Sequence, residues 1–130
     1  MHDLEDYPDA QAIPGLVVYR YDAPLCFANA EDFRRSALAA AAGSGPEPGR
    51  WFVLNAEANV ELDVTAAEAL QSLITELRRR GMVFATARVK QDLRDVLTRA
   101  GLVELIGEER MYMTLPTAVY AYREWAAAQP

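Results

Sequence analysis

The chain has 130 residues, 52% of them hydrophobic, and a formal net charge of −6. That length and composition suit one domain with a real core, and the acidic balance argues against nonspecific nucleic-acid binding. One histidine and one cysteine exclude the common zinc spacings and an internal disulfide, and no apolar run approaches the roughly 18 residues of a membrane helix.

Residues 1–13 carry acids and a proline without a sustained period, and read as a loosely packed lead-in. Pro14-Gly15 is a turn signal. Leu16 to Tyr21 is rich in β-branched and aromatic residues and predicts a strand. Asp22-Ala23-Pro24 predicts a turn and Leu25 to Ala28 a second short strand, so the pair reads as a hairpin. Asn29 is placed to cap a helix with Glu31 and Asp32 in its first turn and Phe33, Ala37, Ala40 and Ala41 on its apolar face. The Gly- and Pro-rich run 43–49 reads as a flexible surface loop.

Trp51 to Leu54 predicts a buried strand. A polar loop follows, then helix-spaced Ala66, Leu70, Leu73, Ile74 and Leu77. Asp63 stands where the N-cap belongs, its carboxylate able to accept from the first-turn N–H groups. Thr65 lies two residues on, in that first turn, where free N–H groups also favour an added anion. Capping alone would account for Asp63. Arg78-Arg79-Arg80 before Gly81 reads as cations complementing a helix C-terminus, with an anion or lipid contact as the alternative.

Met82 to Ala87 predicts the next buried strand. Arg88-Val89-Lys90 follows at its end, where strand C-termini of open α/β sheets form ligand crevices. Asp92 to Ala100 predicts a helix with Leu93, Val96, Leu97 and Ala100 inward, stopped by Gly101. Met111 to Met113 predicts a brief last strand. Thr114 is placed to cap a final helix with Pro116 in its first turn, burying Leu115, Ala118, Val119 and Tyr122, with Trp125 a further candidate for that face. Repeated strand–helix–strand units predict a single α/β domain with a mainly parallel central sheet, the N-terminal hairpin and about four flanking helices.

Catalytic arrangements are hard to build from these residues. His2 would have to fold back from a polar tail to serve a triad, and Cys26, between Leu25 and Phe27, reads as a small buried hydrophobe. No GxxxxGK[ST] or GxGxxG loop is present. The chain reads as a binding or regulatory module, with no catalytic residue, metal ligand or required cofactor.

Three stretches carry a family resemblance: Asp6 to Arg35, the Asp63-Val64-Thr65-Ala66 helix start, and Gly81 to Leu102. Pro14-Gly15, a strand ending in Arg20, the Pro24 turn and Phe27-Ala28-Asn29-Ala30 are the most specific part. Over Tyr7 to about Trp125 the chain resembles a STAS domain, the module shared by sulfate transporters and anti-sigma-factor antagonists. More narrowly it is similar to the C-terminal domain of bacterial SulP-type anion permeases. The resemblance implies a STAS domain over 14–127 and a transmembrane transporter before Met1, with residues 1–13 linking the two. It implies a non-catalytic regulatory role at the cytoplasmic face of the bacterial inner membrane. The partners implied are the transporter's own transmembrane domain, a regulatory protein and a nucleotide of modest affinity. Asp63, Glu61 and Asn59 then fall on a helix cap and partner surface, and Arg88, Lys90 and Thr65 on nucleotide or anion contacts. In the antagonist branch a serine in an Asp-x-Ser-Gly context is phosphorylated by a partner kinase. Asp63 matches that aspartate, Thr65 takes the serine position, and Ala66 replaces the glycine. A free-standing antagonist acting as a phosphorylation switch is thus the alternative reading.

Overall fold

The computed structural model describes residues 13–43, 49–59 and 61–130. The lead-in expected over residues 1–13 and the loop expected over 43–49 lie almost wholly outside the described residues. Along the chain run β1 (Leu16–Arg20), α1 (Ala30–Ala42), β2 (Trp51–Asn55), α2 (Val64–Arg79), β3 (Val83–Ala87), α3 (Gln91–Arg99), α4 (Leu102–Ile106), β4 (Met111–Tyr112) and α5 (Leu115–Ala127), with a 3-10 turn at Glu108–Arg110 before β4.

Among the described residues four strands stand in chain order, β1-β2-β3-β4, and every pairing is parallel. Each crossover therefore advances one strand in the same direction. Right-handed crossovers of that kind place their helices on one face of the sheet. The packing agrees. Phe52, Leu54 and Phe84 meet residues of α1, α2, α3 and α4, whereas Trp51, Val53, Ala85 and Ala87 meet Leu115, Ala118, Val119 and Tyr122 of α5. All five residues of β2 are buried, as expected for a central strand covered on both faces.

Helix α2 forms because Ala66, Leu70, Leu73, Ile74 and Leu77 make one buried stripe, and because Asp63 Oδ1 accepts from the Ala66 N–H at 2.9 Å. At its far end Arg79 and Arg80 bind Glu76, and Arg78 donates to the Leu105 carbonyl. The triple arginine thus has structural partners. Thr114 caps α5 by accepting from the Thr117 N–H, with Pro116 in the first turn.

The N-terminal hairpin is not formed. Among the described residues β1 pairs with β2, and Leu25 makes only an isolated parallel bridge to Leu62. Asn29 is the reason the second strand fails. Its side chain accepts from the Cys26 N–H and donates to the Pro24 carbonyl, bending 26–29 into a turn. That use leaves Asn29 with no side-chain bond to α1, although it occupies the N-cap position. Cys26 is half-buried rather than buried, since the turn swings it off the core. Val83 and Val96 are half-buried and Ala40 likewise, while Ala100 is exposed, so the inward stripe of α3 narrows to Leu93 and Leu97. The single turn of α4 was not expected from its sequence; it begins after Gly101, whose φ of +76 only glycine adopts readily.

Candidate functional site

The head of α2 is assembled from two segments distant in sequence. Beyond β2, Asn59 anchors the segment that follows by donating its amide to the Tyr21 and Ala23 carbonyls at 2.8 and 2.7 Å. The Leu25 N–H donates to the Glu61 carbonyl, and the Asp63 N–H returns the contact to Leu25. Asp63 then completes the junction. One carboxylate oxygen caps α2 and the other accepts from the Phe27 N–H at 2.7 Å. It is both a cap and a clamp between the 25–27 turn and the helix.

This clamp fixes what the surface shows. Phe27 and Val64 are 74% and 75% exposed, the largest apolar exposures in this region, and each stands two residues past the Leu25–Leu62 bridge. Thr65 is exposed beside them, as are Glu61 and Glu68. Arg34 reaches α2 from α1 but donates to Ser72, seven residues and about 10 Å of helix beyond Thr65. Asn59, expected on the partner surface, is instead buried at 1% exposure, because its amide is drawn inward by two backbone carbonyls.

The strand ends form a second cluster. Glu57 accepts from Arg20 at 3.0 Å and from Arg88 at 3.1 Å, and the Glu57 carbonyl accepts from Lys90 at 3.2 Å. Arg20 also binds Asp22. Arg88 takes a left-handed φ of +63, unusual for a residue with a Cβ, and its N–H donates to the Tyr112 carbonyl. The expected anion contacts Arg88 and Lys90 are therefore together, but Glu57 occupies them and Thr65 shares no hydrogen bond with them. The ligand crevice expected there depends on a reversal of strand order, and among the described residues the sheet shows none.

Two features were missed in the sequence. The Arg20–Glu57 pair had a usable signal, since the parallel register sets Arg20 beside Asn55, two residues before Glu57. The Phe27–Val64 surface had none, because it depends on the Asp63 clamp. Elsewhere, Asp32 hydrogen-bonds the Tyr21 hydroxyl and pushes its pKa up to about 12. Among the described residues no group of three His, Cys, Asp or Glu side chains could hold a metal ion.

The STAS domain family model matches residues 7–118. A probable sulfate transporter of Mycobacterium tuberculosis is 65% identical over 125 residues, which are 95% of this chain and 22% of that protein. The chain thus spans about a fifth of the length of that relative. The solution structure of a STAS domain from the same organism is 54% identical, covering 95% of this chain and 98% of that one, with a TM-score of 0.54. The STAS domain of a SulP transporter from Vibrio cholerae is 27% identical, covering 98% and 99% of the two chains, with a TM-score of 0.76.

Proposed function

Because the chain belongs to the STAS domain family, we propose that it is the non-catalytic cytoplasmic domain of a SulP-type sulfate or related anion transporter, acting through protein contact at the head of α2. The transporter assignment leans on the probable sulfate transporter of M. tuberculosis, 65% identical over the shared region. One observation carries the choice of surface: Phe27 and Val64 expose large apolar side chains on either side of a hydrogen-bonded junction. Apolar groups left open to water suit a contact that buries them. The partner proposed is the transporter's own transmembrane domain.

In this reading Thr65 contributes surface rather than a phosphate switch. A phosphate there would gain from the helix N-terminus but would face Asp63 and its neighbours Glu61 and Glu68. Arg88 is engaged by the Glu57 carboxylate and Lys90 by the Glu57 backbone carbonyl, so an incoming nucleotide phosphate would compete with acceptors already in place.

The test is anion uptake by the transporter that carries this domain. Phe27→Ser with Val64→Ser should reduce uptake while the isolated domain keeps its melting midpoint, since both side chains are exposed. Unchanged uptake would remove the surface from the proposal. Thr65→Ala should leave uptake nearly intact and Thr65→Glu should impair it. Phosphothreonine at this position, together with lost uptake in the alanine variant, would favour the antagonist-like switch instead.

A further inference from the structure

The head of α2 sets its two exposed apolar side chains, Phe27 and Val64, among carboxylates. On the α1 side the acids are matched: Glu31 lies 3.9 Å from Arg34 and Asp32 lies 3.5 Å from Arg35. On the α2 side they are not. Glu61 and Glu68 are exposed, and neither side chain has a hydrogen bond or ion pair among the described residues. Glu68 shares the helix face of Val64, one turn further on, and Glu61 stands just before the helix. Asp63 spends both carboxylate oxygens on backbone N–H groups. Three carboxylates thus flank Val64 with no cation among the described residues to meet them.

Helix capping explains only one of the three. Asp63 is the N-cap, and the first turn of α2 holds no acid. Glu61 precedes the cap and Glu68 lies in the second turn, where the pull of the helix dipole has faded. What remains is a contact surface with an apolar centre and an acidic rim. The centre attracts any apolar partner, and the rim decides which one is accepted. A second copy meeting this face across a two-fold axis would set the same carboxylates against themselves. The anionic lipid surface of a cytoplasmic leaflet would be repelled as well. Cytoplasmic loops of transmembrane proteins carry an excess of lysine and arginine, the opposite sign. We propose that the face covering Phe27 and Val64 is a lysine- or arginine-bearing cytoplasmic loop of the transmembrane domain, whose cations pair with Glu61 and Glu68. This rests on the reading of the head of α2 as the contact with that domain. A carboxylate introduced at Thr65 differs from these two, because it would stand beside Phe27 and Val64 in the apolar centre and be buried unpaired.

The test is anion uptake by the transporter that carries this domain, with Glu61→Gln and Glu68→Gln together, or Glu61→Lys and Glu68→Lys together. Both side chains are exposed, so either pair should leave the melting midpoint of the chain in place. Uptake should fall roughly threefold in the glutamine pair and roughly tenfold in the lysine pair, the sizes expected for removing and then reversing two rim charges. A photoreactive benzophenone side chain placed at Ala28, exposed next to Phe27, should capture a loop segment that contains lysine or arginine. Uptake at or above the wild-type level in the lysine pair would overturn the proposal. So would capture of lipid, of a second copy of the domain, of a segment without cations, or of nothing. Lost uptake in Phe27→Ser with Val64→Ser, beside normal uptake in the lysine pair, would strike the charged rim and leave the apolar contact standing. Normal uptake in both would remove the surface altogether.

Discussion

Replacing Asp63 with alanine removes two hydrogen bonds at once, and their shares differ. The Ala66 N–H, at 2.9 Å, loses a helix cap worth about 1 kcal/mol. The Phe27 N–H, at 2.7 Å, loses a charged acceptor, but it lies at the surface where water replaces the bond, so roughly 0.5–1 kcal/mol is lost there. Together the loss is roughly 1.5–2 kcal/mol, or about 6 °C in Tm for a domain of this size. Asp63→Asn separates the two. Asparagine caps a helix as well as aspartate does but has one oxygen where two are needed, so its loss should be only about 0.5–1 kcal/mol. Urea titration gives the energies, provided the slope m is unchanged. Amide exchange gives the locations: in the asparagine variant Phe27 should lose protection while Ala66 keeps it. An asparagine variant as unstable as the alanine one, or one that leaves the Phe27 amide unaltered, would refute the double use of this carboxylate.

Leu70→Ala should cost roughly 2–5 kcal/mol, since the side chain is 3% exposed within the α2 stripe; an unmoved urea midpoint would mean the stripe is misplaced. Gly15→Ala should destabilise by more than about 1 kcal/mol, because φ is +82 and a Cβ would stand 2.5 Å from the Tyr122 hydroxyl; a melting curve matching wild type would contradict that crowding. Bonds from Arg79 and then Arg80 hold the Glu76 carboxyl near 2, below its ordinary 4.5. The folded value being the lower one, this contribution is complete above pH 4.5 and vanishes as pH falls towards 2. The gap in stability between wild type and Glu76→Gln should therefore close over that interval and shrink with added salt, and a gap constant with pH would exclude the pairing.

The parts of the fold readable from sequence were those fixed by short-range rules. The four apolar residues Trp51 to Leu54 gave the central strand, and the α2 stripe with Asp63 before it gave both the helix and its cap. The hairpin failed because Leu25 to Ala28 satisfies strand propensity while Asn29, a residue of ambiguous use, closes a turn instead of capping α1. Asn59 failed for the same reason: a polar residue in a polar loop reads as surface until its two carbonyl partners, on another segment, are known. The candidate site was legible at Asp63 and Thr65 as positions. Its surface was not, since the exposure of Phe27 depends on a bond from a residue 36 positions away.

The one-directional order of the strands also sets a sequence of events during synthesis. The helices that cover the first face of the sheet are interleaved with the strands, so that face closes progressively as β1, β2 and β3 emerge. The second face waits. Trp51, Val53, Ala85 and Ala87 have α5 as their main cover among the described residues, and α5 follows all four strands in chain order. A nascent chain halted after β4 would carry a half-clothed sheet with apolar side chains open to water, the kind of surface that chaperones and proteases engage.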